Sequence, residues 1–297
     1  MRVFITGASG WIGSAVTDEL LANGYQVLGL ARSDSSAEAL EAKGAEVLRG
    51  DLDDLEALRS GASSTDATIH LANKHDWANP AVSNKAEREA VETIGEALAG
   101  SNRKFLLASG VAGAVAGRAL TENDASPFHG LESPRGGSEN RALEYVEQGV
   151  GTVSVRFAPT VHGAGDQGFV KFIVDAARAN GFSGYVGDGA NHWPAVHRSD
   201  AARVVRLGLE KAAPGTLLHA IGEQAIPTRT IAEAIGRGLN LPVRSIDPGE
   251  ATAKLGMIGG FFAMDIPASS ALTQQLLGWT PTGPTLVDDL DAGSYFA

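Results

Sequence analysis

The chain opens with Met1-Arg2-Val3-Phe4-Ile5-Thr6-Gly7-Ala8-Ser9-Gly10-Trp11-Ile12-Gly13. The apolar run before the first glycine predicts a buried parallel strand, and an apolar-periodic helix is expected from Trp11 to Leu21. The three glycines have the spacing G-x-x-G-x-x-G. Glycine suits such a turn because the backbone turns sharply, a phosphate approaches bare N–H groups, and the helix packs closely on the strand. The stretch therefore predicts a dinucleotide-binding turn.

Further strand-and-helix units follow this turn. Apolar strands are expected at residues 25–30, 45–48, 67–72 and 104–108, with helices between them and a long helix at 80–99. Five such units in a row predict an α/β fold with a doubly wound parallel (Rossmann) sheet and a smaller C-terminal substrate-binding region. We expect residues 1–162 plus about 199–225 to form the cofactor domain. Residues 163–198 plus 226–297 are expected to bind the substrate.

Composition excludes several classes of protein. The 297 residues carry a formal net charge of −11, which argues against nucleic-acid or anionic-membrane partners. There is no cysteine, and hence no disulfide, cysteine nucleophile or thiolate metal site. No apolar run has membrane-spanning length and the N-terminus lacks a signal-peptide layout, so a soluble cytoplasmic protein is expected. We predict no metal site, and we interpret the acidic stretch 288–291 as solvated surface.

The end of the second predicted strand bears on the choice of cofactor. An acidic residue there would bind both ribose hydroxyls, whereas Arg32 and Ser33 offer a cation and a hydroxyl to a 2′-phosphate. This favours NADP(H), although the nearby Asp34 leaves NAD(H) open. Asp51 and Leu52 follow the third strand, where the adenine edge would lie. We expect the next acidic pair, at 53–54, to cap a helix.

Several segments in order resemble the extended short-chain dehydrogenase/reductases, the group of NAD-dependent epimerases and dehydratases. The matching segments are Thr6-Gly7-Ala8-Ser9-Gly10-Trp11-Ile12-Gly13, Gly50-Asp51-Leu52, His70-Leu71-Ala72, Ala108-Ser109, Arg156-Phe157-Ala158-Pro159-Thr160-Val161-His162-Gly163 and His197-Arg198-Ser199-Asp200. The resemblance implies that Ser109 hydrogen-bonds the substrate oxygen. It also implies a possible homodimer through helices 80–99 and 139–148, and the following cofactor contacts: Gly7, Ser9, Gly10, Trp11, Ile12, Gly13, Leu71, Ala72, Asn73, Pro159, Thr160 and Val161.

The chain departs from this family at its catalytic Tyr-x-x-x-Lys. Aligned on the helix after the serine strand, Arg135 stands at the tyrosine position and Glu139 at the lysine position. An arginine cannot release a proton near neutral pH, although it can donate hydrogen bonds to an oxyanion. A histidine or a water molecule would then supply the proton. The candidates are His75, His162, His192 and His197. We prefer His162, which follows the strand that reaches the nicotinamide, and His192, and we select His162.

Three interpretations of this departure remain. In the first, the protein is a reductase that uses NADPH, with Ser109 and Arg135 polarising the carbonyl, imine or enone group of a small, rather apolar substrate. In the second, it has lost catalysis and is an NADP(H)-binding sensor or regulatory protein. The third, a sugar-nucleotide epimerase or dehydratase, needs a base at the missing tyrosine position. We prefer the first interpretation.

Overall fold

The structure is a computed structural model that describes residues 1–111 and 117–296. Its strands are β1 (Arg2–Thr6), β2 (Gln26–Ala31), β3 (Glu46–Arg49), β4 (Ala67–His70), β5 (Lys104–Gly110), β6 (Gly151–Phe157), β7 (Thr160–His162), β8 (Ser183–Val186), β9 (His192–His197), β10 (Leu217–Ala220), β11 (Glu223–Pro227) and β12 (Val243–Ile246). Its helices are α1 (Trp11–Ala22), α2 (Asp34–Glu41), α3 (Leu55–Ser63), α4 (Pro80–Leu98), α5 (Ser138–Glu144), α6 (Phe169–Asn180), α7 (Arg198–Lys211), α8 (Thr228–Leu239), α9 (Ala251–Leu255), α10 (Ile258–Phe262), α11 (Ala271–Leu277) and α12 (Leu286–Asp291).

Seven strands form one sheet in the order β10-β6-β5-β4-β1-β2-β3. β1 pairs in parallel with β2 and β4, and the β2–β3 and β4–β5 pairs are parallel as well. The predicted Rossmann-type α/β sheet is thereby confirmed. The chain leaves β1 towards β2 and β3 and then crosses to β4 on the other side. Ligands of such sheets bind beyond the carboxyl ends of the strands at this reversal point.

Side chains that alternate along each strand divide the sheet into two packed faces. Phe105 and Leu107 of β5 share one core cluster with residues of α3, α4 and α5. Leu106 points to the opposite face, where it lies against Gly208 of α7. Helices therefore cover both faces, as the continuous apolar strands of the sequence require.

The chain divides into two compact units. The first contains residues 1–109, 125–156 and 202–218, and the second contains residues 110–124, 157–201 and 219–297. The second unit has a three-stranded sheet, β11-β9-β7, and a parallel pair of β8 and β12. Its core includes Trp193, Ile235 and Phe262. The functional division into cofactor and substrate regions stays a prediction.

The interpretation of residues 288–291 as solvated surface holds for Asp288 and Asp291, which are exposed, and is wrong for Leu290, which is buried, and for Asp289, which is only partly exposed. These residues lie in helix α12, which begins with a capping box between Thr285 and Asp288. Leu286 and Leu290 are fully buried, and the Asp289 side chain hydrogen-bonds a buried histidine. The two leucines are four residues apart and form one helical face, a pattern that the run of aspartates obscures.

Close packing between α3 and β1 gives a stability prediction. A Cβ at Gly61 would lie 2.5 Å from the ring of Phe4, whereas a Cβ at Gly260, also inside a helix, would meet nothing within 4 Å. We expect Gly61→Ala to lower the free energy of unfolding by about 1–3 kcal/mol. Gly260→Ala should not lower it, because alanine favours helix and meets open space. Urea unfolding of both variants tests this; equal stability for the two would contradict it.

Candidate active site

The turn between β1 and α1 has room for backbone only. Gly7 is left-handed, with φ of +69°, and a Cβ there would lie 2.7 Å from the backbone N of Ala72. A Cβ at Gly13 would lie 1.9 Å from the carbonyl oxygen of Gly7. The N–H of Gly10 donates to that same carbonyl at 2.9 Å. The chain therefore folds back tightly before α1 begins, and α1 packs directly on the turn.

The N-terminus of α1 begins at a glycine. Gly10 occupies the cap position and has no side chain that could cap the helix. Ser9 and Gly10 are exposed, and Trp11 and Ile12 are partly exposed. Backbone N–H groups and the positive end of a helix dipole favour an anion at such a position. These residues fit the pyrophosphate of a dinucleotide.

The end of β2 presents an arginine. Arg32 is exposed and makes no ion pair or hydrogen bond within the described ranges. The carboxylate of Asp34 is paired with Arg49, which also donates to the carbonyl of Ser33 at 2.9 Å. Ser33 caps α2 by accepting the N–H of Ser36 at 3.2 Å. The acidic charge beside Arg32 is thus offset within the protein.

The loop after β3 is organised by Asp51. Its carboxylate accepts the N–H groups of Asp53 at 2.9 Å and Asp54 at 3.2 Å. Asp54 in turn caps α3 by accepting the N–H of Ala57 at 3.0 Å, which confirms its predicted capping role. Asp53 pairs instead with Lys74, at 2.7 Å. Leu52 is buried, so it supports the loop from within.

A buried polar chain starts at the last residue of β1. Thr6 Oγ1 lies 2.8 Å from His70 Nδ1 and accepts the N–H of Ala72 at 3.3 Å. Burial lowers the pKa of His70, so the ring is neutral at pH 7. We assign its proton to Nε2, which lies 3.7 Å from the carboxylate of Glu87, too far for a hydrogen bond. Asn73 donates to that carboxylate, at 3.0 Å.

Arg135 lies on the far side of this group of buried polar side chains. Its guanidinium pairs with Glu87, whose side chain is fully buried, and donates to the carbonyl of Ala108 at 2.9 Å. Arg135 has a φ of +56°, and Gly136 and Gly137, which follow it, have φ of +61° and +62°. A residue with a Cβ is disfavoured in this left-handed region. The arginine side chain is therefore held at the end of β5 by contacts that offset this conformational cost.

A second buried carboxylate contacts Ser109. The Ser109 hydroxyl donates to Glu139 Oε2 at 2.7 Å. The other oxygen of Glu139 accepts from Arg156 Nε at 2.8 Å and lies 2.7 Å from Arg156 Nη2. Glu139 and Arg156 are buried, whereas Ser109 is partly exposed. Arg135 and Ser109, the first unit's predicted catalytic residues, therefore both lie at the end of β5, each engaged by a carboxylate.

The remaining predicted site residues lie in the second unit. Thr160 and Val161 of β7 are buried, and Pro159 before them is half-buried. The side chain of His162 is completely buried, and its Nδ1 lies 2.6 Å from the Asp289 carboxylate. Burial lowers the pKa of His162 although this hydrogen bond opposes the shift. His162 is thus held as a neutral interior group of its own unit.

Metal sites and membrane-spanning helices were looked for in the described ranges, 1–111 and 117–296. No group of three or more histidine, aspartate or glutamate side chains there could hold a metal ion. None of the helices described there is both long and apolar enough to cross a bilayer.

Comparison with known proteins identifies the family. Residues 3–220 match the NAD dependent epimerase/dehydratase family. The chain belongs to this family. A relative in Schizosaccharomyces pombe, itself uncharacterized, is 41% identical and covers 100% of both chains.

Two further proteins are more distantly similar to this chain. A 4-hydroxy-2-methyl-3-oxo-4-farnesyl-3,4-dihydroquinoline-1-oxide ketoreductase of Stigmatella aurantiaca is 30% identical over 190 residues, 61% of this chain and 57% of that protein. The solved structure of the dTDP-glucose 4,6-dehydratase DesIV of Streptomyces venezuelae, with NAD and TYD bound, has a TM-score of 0.78. It is 20% identical and covers 99% of this chain and 96% of that one. This second likeness shows the family's fold alone.

Sequence reasoning did not identify Glu87, His70 or Arg156 as parts of this family member's site. Glu87 had a detectable signal, because it lies on the same face of α4 as the buried Val91 and Ile94. A carboxylate on an apolar face needs a partner. The correspondence of Arg135 and Glu139 to the family's tyrosine and lysine stays a prediction.

The Glu87–Arg135 pair gives a prediction about coupling. Arg135→Gln leaves a buried carboxylate without its cation and should cost about 3 kcal/mol of unfolding free energy. Glu87→Gln should cost less, about 1–2 kcal/mol, because the Arg135 side chain is 32% exposed. The double variant should cost clearly less than the sum, since it leaves no charge unpaired.

The matched control is the Arg88–Glu92 pair of the same helix, whose side chains are 23% and 33% exposed. Its double-mutant cycle should give a coupling energy below about 1 kcal/mol. Additive effects at Glu87 and Arg135 would show that the two side chains do not depend on each other.

His162 gives a prediction about pH. Its pKa lies below the ordinary value of 6.5, so between these values the unfolded chain binds more protons than the folded one. The free energy of unfolding should therefore fall as pH falls below about 6.5. His162→Gln should weaken this dependence, and His70 and His75, whose pKa values burial also lowers, are expected to contribute to the part that remains. Urea unfolding at pH 7.5 and 5.5 measures both.

His129→Gln, which removes an exposed imidazole, is the control in the same comparison. An acid dependence that is identical in the wild type and in His162→Gln would mean that His162 gains its proton equally in both states.

Proposed function

We propose that this protein is an oxidoreductase that uses NADPH to reduce the carbonyl group, or an imine or enone, of a small and rather apolar compound. The observation that carries the proposal is the group of buried side chains between the glycine turn and Arg135, in which Thr6 contacts His70 and Glu87 pairs with Arg135 beside Ser109. A phosphate-binding turn and two hydrogen-bonding groups thus share the carboxyl edge of one parallel sheet. Family membership and the distant ketoreductase relative support the same reaction class.

The proposed cofactor contacts follow the geometry of the first unit. Gly7, Gly10 and Gly13 would hold the pyrophosphate, and the uncommitted guanidinium of Arg32 would bind the 2′-phosphate. The pairing of Asp34 with Arg49 removes the nearest repulsive charge, which supports NADP(H) over NAD(H). The bound cofactor would supply a hydride to the substrate carbon. Pro159, Thr160 and Val161 are proposed to line its nicotinamide.

Ser109 and Arg135 are proposed to contact the substrate oxygen. An arginine donates hydrogen bonds to developing negative charge without giving up its proton, so Arg135 would stabilise the alkoxide but not protonate it. The complete burial of His162 and its bond to Asp289 favour a structural role over the proton donation predicted from the sequence. A homodimer and a cytoplasmic location stay predictions.

One observation favours a second function, an NADP(H)-binding sensor without catalysis. Ser109 and Arg135 both already have protein partners, Glu139 for the hydroxyl and Glu87 for the guanidinium. A site whose polar groups are satisfied internally can bind a cofactor without turning over a substrate. The epimerase or dehydratase interpretation ranks third, because it needs a base at the position to which the sequence comparison assigns Arg135, and an arginine does not release its proton near neutral pH.

The test is NADPH oxidation by the purified protein across aldehydes, ketones, enones and cyclic imines, with cofactor binding measured in the same sample. Turnover of any class supports a reductase. Tight binding of NADPH without turnover of any compound would support the sensor instead.

Within this assay, Arg32→Asp should lower the preference for NADPH over NADH by about tenfold or more, since it replaces a phosphate-binding cation with a repelling anion. Arg178→Asp, at an exposed arginine of the second unit, is the control for the same change in net charge. An unchanged preference in Arg32→Asp would show that the 2′-phosphate lies elsewhere.

A further inference from the structure

We propose that Arg49 determines the cofactor preference of this protein by occupying Asp34, a carboxylate that would otherwise select NAD(H). The proposal rests on the NADP(H) assignment of the proposed function. It gives a role to an arginine that lies outside the segments that carry the family resemblance. Arg49 is a positioning residue in this proposal, because it acts through Asp34 and not by contact with the cofactor.

Strand pairing places Arg49 beside the end of β2. Arg49 is the last residue of β3, and in the parallel register it stands opposite Ala31, the last residue of β2. The N–H of Gly50 also donates to the carbonyl of Ala31, at 3.2 Å. The residues that follow the two strands therefore share one carboxyl edge of the sheet, where a dinucleotide fold meets the adenosine ribose.

Two contacts hold the Arg49 guanidinium at this edge. Its Nη1 donates to the backbone carbonyl of Ser33 at 2.9 Å, and its Nη2 pairs with Oδ1 of Asp34. Ser33 is itself fixed, because its hydroxyl caps α2 by accepting the N–H of Ser36. One planar group is thus anchored to the backbone while it binds the carboxylate, an arrangement suited to the fork of donors that arginine presents.

The exposure of Asp34 shows what this ion pair withholds. The Asp34 side chain is 89% exposed, so its carboxylate lies within reach of a ligand that arrives from solvent. A free carboxylate at this place would bind the ribose hydroxyls of NAD(H) and repel a 2′-phosphate. With Arg49 in place, Arg32 and Arg49 present two guanidinium groups against one carboxylate. The excess positive charge favours the cofactor that carries the additional phosphate.

The experiment compares the dissociation constants of NADPH and NADH, measured by calorimetry on the purified protein without any substrate. Arg49→Gln should lower the preference for NADPH by about fivefold to tenfold, because it removes one cation and releases the carboxylate of Asp34. Adding Asp34→Asn to this variant should restore the preference to within about twofold of the wild type, since the released charge is then absent. Asp34→Asn alone should leave the preference unchanged or raise it.

Arg2→Gln is the matched control. Arg2 makes the same two kinds of contact at the opposite end of the parallel strands, with the carbonyl of Ser64 at 3.1 Å and the carboxylate of Glu46 at 2.6 Å. It therefore removes a cation from an arginine–carboxylate pair that is remote from the adenosine ribose. The preference should not change in this variant. An equal loss in Arg2→Gln and Arg49→Gln would show an effect of net charge alone and would overturn the proposal.

Other results also contradict it. An unchanged preference in Arg49→Gln would mean that Asp34 does not act on the cofactor. A lowered preference that Asp34→Asn fails to restore would mean that Arg49 contacts the 2′-phosphate itself. The Arg49–Asp34 pair is exposed, so these variants are expected to fold; if Arg49→Gln does not, a lowered preference in Asp34→Asn alone would still refute the proposal.

Failure of the proposed function gives a different result. A wild type that binds NADH as tightly as NADPH would reject the NADP(H) assignment, and with it the role of Arg49. Absence of turnover would reject the reductase but would not alter the binding preference on which the role of Arg49 is decided.

Discussion

The close approach of backbone to backbone at Gly13 is the constraint on which the site depends. No side chain fits there, because its Cβ would lie 1.9 Å from the carbonyl oxygen of Gly7. Helix α1 can therefore begin directly at the carboxyl edge of the sheet. The same turn places Thr6 at the end of β1, where its hydroxyl contacts His70 and Ala72 of the neighbouring strand segment. The glycines thus position both the anion-binding helix end and the start of the buried polar chain.

Two buried carboxylates organise the other end of that edge. Glu87 pairs with Arg135, 48 residues away, and Glu139 pairs with Arg156, 17 residues away. Removing a charge from water costs several kcal/mol, so such pairs are weak evidence for stability. The main effect of these ion pairs is to fix the positions of their side chains. Glu87 holds Arg135 in a left-handed conformation that a glycine would adopt without cost, which indicates that the guanidinium at this place matters more than relaxed backbone.

The strands of the sheet could be predicted from the sequence, because each strand is specified by its own local pattern of residues. Each strand is an apolar run bounded by glycine or polar residues, and each helix repeats apolar residues on one face. Helix α12 was not predicted, since three acidic residues in six obscured the two buried leucines. The side-chain pairs of the candidate site, unlike the strands and helices, join residues that are far apart in sequence. Arg135 lies 48 residues from Glu87, and Asp289 lies 127 residues from His162. No local pattern specifies such partners, because tertiary packing alone brings them together.

The orientation of the Ser109 hydroxyl is a further property that a serine in a sequence does not reveal. A lysine at position 139 would donate to this oxygen, whereas the carboxylate of Glu139 accepts its proton. The serine then presents lone pairs, not a proton, to whatever lies beyond the strand end. A glutamate alone would also reverse the local charge, but Arg156 restores a cation that cannot be titrated. The candidate site therefore keeps a permanent cation behind Ser109, and the proton of the serine hydroxyl is held towards the protein.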